Sequence, residues 1–275
     1  MKGNASIWLI VLAAGAVYIW LHDLTWWDSQ PLILLLIFVP LIPAYLCRPW
    51  RLRPEPLPLS RRHQLLLAAA ALSWLAGLGT GFVFPFALSW TAIFYIAMYQ
   101  NLASGRANDV LKLLPFALLA FPWIVLDGDS IGWYFRLSGA IVNEHVLAAL
   151  GLDVERQGVS LIVSGLTINV LAECDGIDTL QTMLMSGGVL GFLILGNRDS
   201  QYWYIWPMII VFAWLANTLR ILLVSIVGLL YGADFAMGTF HDWGGTITVA
   251  LMFLLFAFLT LGMSLGNGHE NEQAR

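Results

Sequence analysis

Apolar runs long enough to cross a bilayer recur from one end of this chain to the other, and no other feature constrains its fold as tightly. A helix needs roughly 20 apolar residues to span the ~30 Å hydrocarbon core, and there only helices or closed barrels satisfy their own backbone groups. Barrel strands would be about half that length. The runs Ala5–Leu21, Pro31–Cys47, Gln64–Phe82, Phe84–Leu102, Val110–Leu126, Gly176–Gly196, Tyr202–Tyr231 and Trp243–Met263 predict an all-α integral membrane protein of about eight transmembrane helices, a single polytopic domain over residues 1–275. Only 11% of the residues are charged, where a soluble domain carries about a quarter, so no water-soluble core is expected. Ala5–Leu21 could pass for a cleavable leader, but the spans that follow favour an uncleaved first helix.

Charge sets the orientation. Arg48, Arg51, Arg53, Arg61 and Arg62 crowd one loop, which the positive-inside rule assigns to the cytoplasm. Counting alternately from that loop places Lys2, Arg106, Lys112, Arg198 and Arg275 inside as well, with both termini cytoplasmic, and only Arg136 and Arg156 outside. Trp26 and Trp27 suit an outer interfacial belt. The expected setting is the inner (cytoplasmic) membrane, with membrane lipids as neighbours. Basic residues sorted by loop form no face for nucleic acid. Cys47 and Cys174 fall on opposite sides, so both read as thiols.

Residues 130–172 predict an extracytoplasmic insertion. Ile131–Leu150 has apolar residues at helical spacing broken by Arg136, Asn143, Glu144 and His145, the pattern of an amphipathic interfacial helix. Beyond Gly151 the period becomes two. Val159–Val163 and Leu166–Val170 alternate around Ser164-Gly165, which predicts a β-hairpin leading to Cys174.

The half of the chain over residues 173–263 then holds three residues with chemistry to spare. Cys174 opens the sixth span from outside, Arg220 nears the outer end of the seventh, and His241 opens the eighth, so all three fall on one face at similar depth. A helix start at Asp175-Gly176-Ile177-Asp178 would favour thiolate at Cys174, while Glu173, Asp175 and Asp178 oppose it, so a cationic partner is required. Arg220 could supply the charge, and an arginine in an apolar span is a functional-site hypothesis by default. His241 is the proton carrier suited to neutral pH. Asn217, one turn before Arg220, is expected to orient it by a hydrogen bond. Taken singly, each residue also has a structural reading, as boundary cysteine, interfacial histidine or inter-helix arginine. Histidines scattered over both faces, with no His-Glu-x-x-His, Cys-x-x-Cys or phosphate loop, give no reason to expect a metal or cofactor.

Glu-Cys-Asp-Gly-Ile at 173–177, Asn-Thr-Leu-Arg-Ile at 217–221 and the histidine at 241 resemble, in that order, the exosortase/archaeosortase family. The resemblance covers Gly151 to Met263 by motif and the first half by span count. It implies a membrane-embedded Cys-Arg-His transpeptidase. Such an enzyme cleaves a C-terminal sorting signal, Pro-Glu-Pro followed by a transmembrane tail and a basic cluster, from exported proteins and passes them to a surface acceptor. By motif, Cys174 would form a thioester, His241 would act as acid and base, and Arg220 would stabilise the oxyanion or the thiolate. This chain departs from the pattern with Asp175 where a small residue is expected. Pro54-Glu55-Pro56 mimics the sorting signal on the wrong face of the membrane and is read as a decoy. From the residues alone, a transporter binding an anion at Arg220 and a non-catalytic scaffold remain as alternatives.

Overall fold

A computed structural model describes residues 3–29, 35–103, 107–168, 176–196 and 199–273. The chain divides into two compact units, Met1–Asp127 and Gly128–Arg275.

In the first unit, helices α1 (Gly3–His22), α2 (Trp26–Ser29), α3 (Leu35–Phe38) and α4 (Leu41–Leu46) precede a long non-helical strap, followed by α5 (Arg61–Thr80), α6 (Phe84–Asn101), α7 (Ala107–Leu119) and α8 (Trp123–Asp127). Helices α5 and α6 form an antiparallel hairpin. Gly77 lets it close, because a Cβ there would stand 2.8 Å from the ring of Phe86. The Asp127 carboxylate accepts hydrogen bonds from the amides of Val83 and Phe84 at the start of α6, supplying the acceptors that a helix N-terminus lacks. Helix α1 lies on α6, where the Trp90 indole donates to the carbonyl of Leu12 at 2.8 Å. Ile19, Val83, Phe86, Ala87 and Phe121 are the buried core.

The expected second and fifth spans are interrupted. Pro40 stands at the N-cap of α4, and Pro122 closes the turn that separates α7 from α8, each where a missing amide breaks the helical ladder. Among the described residues, four helical segments are long and apolar enough to cross a bilayer: Arg61–Thr80, Ile177–Leu195, Ser200–Tyr231 and Trp243–Leu265; Ser6–His22 is apolar but shorter.

The second unit begins with α9 (Asp129–Ala149), the expected amphipathic helix, and a sheet of β1 (Val154–Gln157), β2 (Ser160–Val163) and β3 (Leu166–Ile168). The expected hairpin is β2–β3, with Val163 paired to Leu166 around Ser164-Gly165. Both turn residues have positive φ, 49° and 84°, as a type I′ turn demands. The sheet has one strand more than expected, since β1 pairs antiparallel with β2. Val154-Glu155-Arg156-Gln157 is too polar to announce itself, and its Arg156 is held by Glu144 of α9 at 2.8 Å. Expected hairpin residues Asn169 and Val170 lie outside the described residues.

Helices α10 (Ile177–Leu195), α11 (Asp199–Tyr202), α12 (Ile205–Tyr231), α13 (Ala233–Met237) and α14 (Thr239–Gln273) complete the unit. Glycines set the packing of α10 on α12. Gly187 faces Ile209 and Gly191 faces Ile205, close approaches that small residues permit between membrane helices. Helix α9 packs on α12 through Gly139, against Thr218 and Ile221, and through Asn143, whose amide donates to the carbonyl of Thr218 at 3.0 Å. Ala140, Leu147, Leu161, Val163 and Ile221 form a core shared by α9, β2 and α12.

Candidate active site

Helix α12 carries the site and runs unbroken for 27 residues. At 1.5 Å per residue, Arg220 lies about 22 Å along it from Ile205, toward the far side of a ~30 Å core. Arg220 as a whole is partly buried, with its Nε out of reach of solvent. The guanidinium lies flat against α14 at Gly245, where a Cβ would stand 2.7 Å from Cζ and Nε. No residue with a side chain fits there unless the arginine moves. His241 stands one turn before Gly245 on α14, so the two positions share a face of that helix. The His241 side chain lies outside what is described.

One turn back along α12, Asn217 is 1% exposed. Its amide does not bond to Arg220 as expected from the sequence. Neither its Oδ1 nor its Nδ2 has a hydrogen-bond partner among the described residues. The side chain turns instead to α10, where a Cβ at Gly176 would stand 2.8 Å from Cγ. Gly176 is the N-cap of α10 at φ 77°, a left-handed conformation in which glycine has no steric penalty. The sequence thus starts the helix where expected, with Asp178 in its first turn and exposed. Cys174 and Asp175 lie outside the described residues.

Gly176·Asn217 and Gly187·Ile209 fix an antiparallel register for α10 on α12, and Arg220·Gly245 and Phe212·Phe256 fix one for α14 on α12. One turn of α12 therefore touches the beginning of α10 through Asn217 and the early part of α14 through Arg220. The same neighbourhood holds other buried polar atoms with no partner among the described residues: Gln181 Oε1 on α10, Thr218 Oγ1 on α12 and Asn143 Oδ1 on α9. In an apolar medium such atoms are costly unless something polar meets them. Gly245, Thr218 and Asn143 were missed by sequence reasoning. The Gly244-Gly245 pair within one turn of His241 was the available signal for the first, the Asn-Thr-Leu-Arg-Ile motif for Thr218, and a lone asparagine on the apolar spacing of α9 for Asn143.

A model of the transmembrane exosortase family matches residues 26–258. The chain belongs to that family. No curated protein and no solved structure matches it. Members of this exosortase family are membrane transpeptidases of the cysteine class that process exported proteins, and the apolar helices of this exosortase agree with a membrane-embedded protein.

Proposed function

We propose that this exosortase is a cysteine transpeptidase that removes a Pro-Glu-Pro-type C-terminal sorting signal from exported proteins at the outer face of the inner membrane. The observation that carries the reading is the single turn of α12 that meets α10 at Gly176, two residues beyond Cys174, and α14 at Gly245, one turn beyond His241. The Cys174 thiolate attacks the scissile carbonyl, and the C–N bond of the resulting tetrahedral oxyanion breaks as His241 protonates the leaving amine. The acyl group remains on Cys174 as a thioester. A surface acceptor then attacks it, giving its proton to His241, and the thiolate leaves. Arg220 stabilises negative charge, on the thiolate or the oxyanion, where water is scarce. Asn217 offers a buried amide beside the same locus, and Asp175 and Asp178 raise the demand for Arg220 by placing acids near the thiol.

The uninterrupted α12 favours this reading over a transporter, whose binding site would sit at a break in a helix. Co-expression with a protein ending in Pro-Glu-Pro, a helix and a basic tail tests it. Wild type should remove the tail; Cys174→Ala, Arg220→Ala and His241→Ala should each retain it. Normal processing by Cys174→Ala would remove the basis of the assignment. The mass of the product separates transfer from hydrolysis.

A further inference from the structure

The arginine-rich strap between α4 and α5 is folded against the end of α6. The Arg53 amide donates to the carbonyl of Asn101 at 2.7 Å, Ala103 donates to the carbonyl of Arg51 at 2.8 Å, and Leu57 donates to the carbonyl of Gln100 at 3.0 Å. The buried side chain of Gln100 locks the arrangement, giving its amide proton to the carbonyl of Leu57 and accepting from the Trp8 indole, both at 2.9 Å. Arg53 Nε bonds the carbonyl of Leu102. A backbone held in this way fixes where its charges stand.

Those charges are unbalanced. Five arginines, at 48, 51, 53, 61 and 62, face a single acid, Glu55, and among the described residues none of the five makes an ion pair. Arg48, Arg51, Arg61 and Arg62 are exposed. Because α5 and α6 are antiparallel, the start of α5, the end of α6 and the strap lie at the same end of the hairpin. From Arg61 an exposed apolar stripe descends α5 through Leu65, Leu72 and Leu75, while Leu52 of the strap is 67% exposed. A guanidinium cluster above an apolar helix face has the shape of a phospholipid, with phosphate at one end and acyl chain along the other.

We propose that the strap and the outer face of α5 form a binding site for an anionic phospholipid, its phosphate held by Arg51, Arg61 and Arg62 and an acyl chain lying along Leu65, Leu72 and Leu75. The site lies in the first unit and is independent of the transpeptidase chemistry.

Full-length protein in an uncharged detergent, titrated with phosphatidylglycerol or phosphatidylcholine and read by native mass spectrometry, tests the proposal. Wild type should bind phosphatidylglycerol on the order of a hundredfold more tightly than phosphatidylcholine, in line with ~1 kcal/mol of attraction to anionic lipid for each of the three arginines. The combined variant R51Q/R61Q/R62Q should bring that ratio close to one with its lipid-free melting temperature little changed. If the combined variant fails to fold, R51Q alone should lower the ratio about fivefold. A ratio that survives the substitutions overturns the proposal. So does displacement of phosphatidylglycerol by inorganic phosphate at equal concentration, which would make the site one for free anions.

Discussion

Gly245 is the residue on which the placement of Arg220 depends most directly. Alanine within a helix normally stabilises by roughly 0.5–1 kcal/mol over glycine, so Gly245→Ala, although buried, should not weaken α14 on propensity grounds. Its methyl, however, would stand 2.7 Å from the Arg220 guanidinium, closer than carbon and nitrogen approach, and the long side chain would swing away. We expect tail removal to fall at least about tenfold, equivalent to ~1.4 kcal/mol of transition-state stabilisation, with expression and melting temperature near wild type. Gly79→Ala, where an added Cβ meets nothing within 4 Å, serves as the control and should change neither. Full activity in Gly245→Ala would detach Arg220 from the chemistry. Asn217 shows the limit of spacing arguments at this scale. Its position three residues before Arg220 places both on neighbouring parts of one helix, yet its side chain is claimed by Gly176 on a different helix, a contact that no pattern within α12 announces.

At the scale of elements, the β2–β3 turn has a sequence signature and a corresponding cost. Ser164 at φ 49° is the one described residue other than glycine with positive φ, and asparagine tolerates that region better than serine. Ser164→Asn should therefore raise stability by a few tenths of a kcal/mol, whereas Gly165→Val, which puts a branched side chain at φ 84°, should lower it by about 1–3 kcal/mol. Thermal melts in detergent would show both. This hairpin was legible because alternation and a two-residue turn are local signals. Helix α9 was legible for the same reason, its apolar spacing showing which face is covered. Strand β1 was not, since an edge strand of Glu155, Arg156 and Gln157 is stabilised by its partner β2 and by the Glu144 pair rather than by its own pattern. The divided helices α3–α4 and α7–α8 were read as continuous spans because hydropathy averages over residues and does not register a proline that removes one hydrogen bond.

For the whole molecule, the family and the helical membrane character were accessible from three short motifs and the length of the apolar runs, while the number of crossings is a question of chain path that hydropathy poses without closing. The α7–α8 segment is where it matters. If α5, α6 and α7–α8 each cross, three crossings separate the strap from the β1–β3 sheet, and Glu55 and Glu155 face opposite sides; if the segment broken at Pro122 turns back, the number is even and they share a side. Both residues are exposed, which makes them suitable sites for introduced cysteines. In a Cys174→Ala background, with Cys47 buried and poorly reachable, an impermeant maleimide applied to intact cells should label Glu155→Cys and leave Glu55→Cys unlabelled until the membrane is opened. Labelling of both from outside would place the arginine strap on the same side as the sheet, against the positive-inside rule, and would leave the number of crossings between them even. Labelling of Glu155→Cys alone would put the strap, with its five arginines, in the cytoplasm, where the anionic inner leaflet is its electrostatic complement.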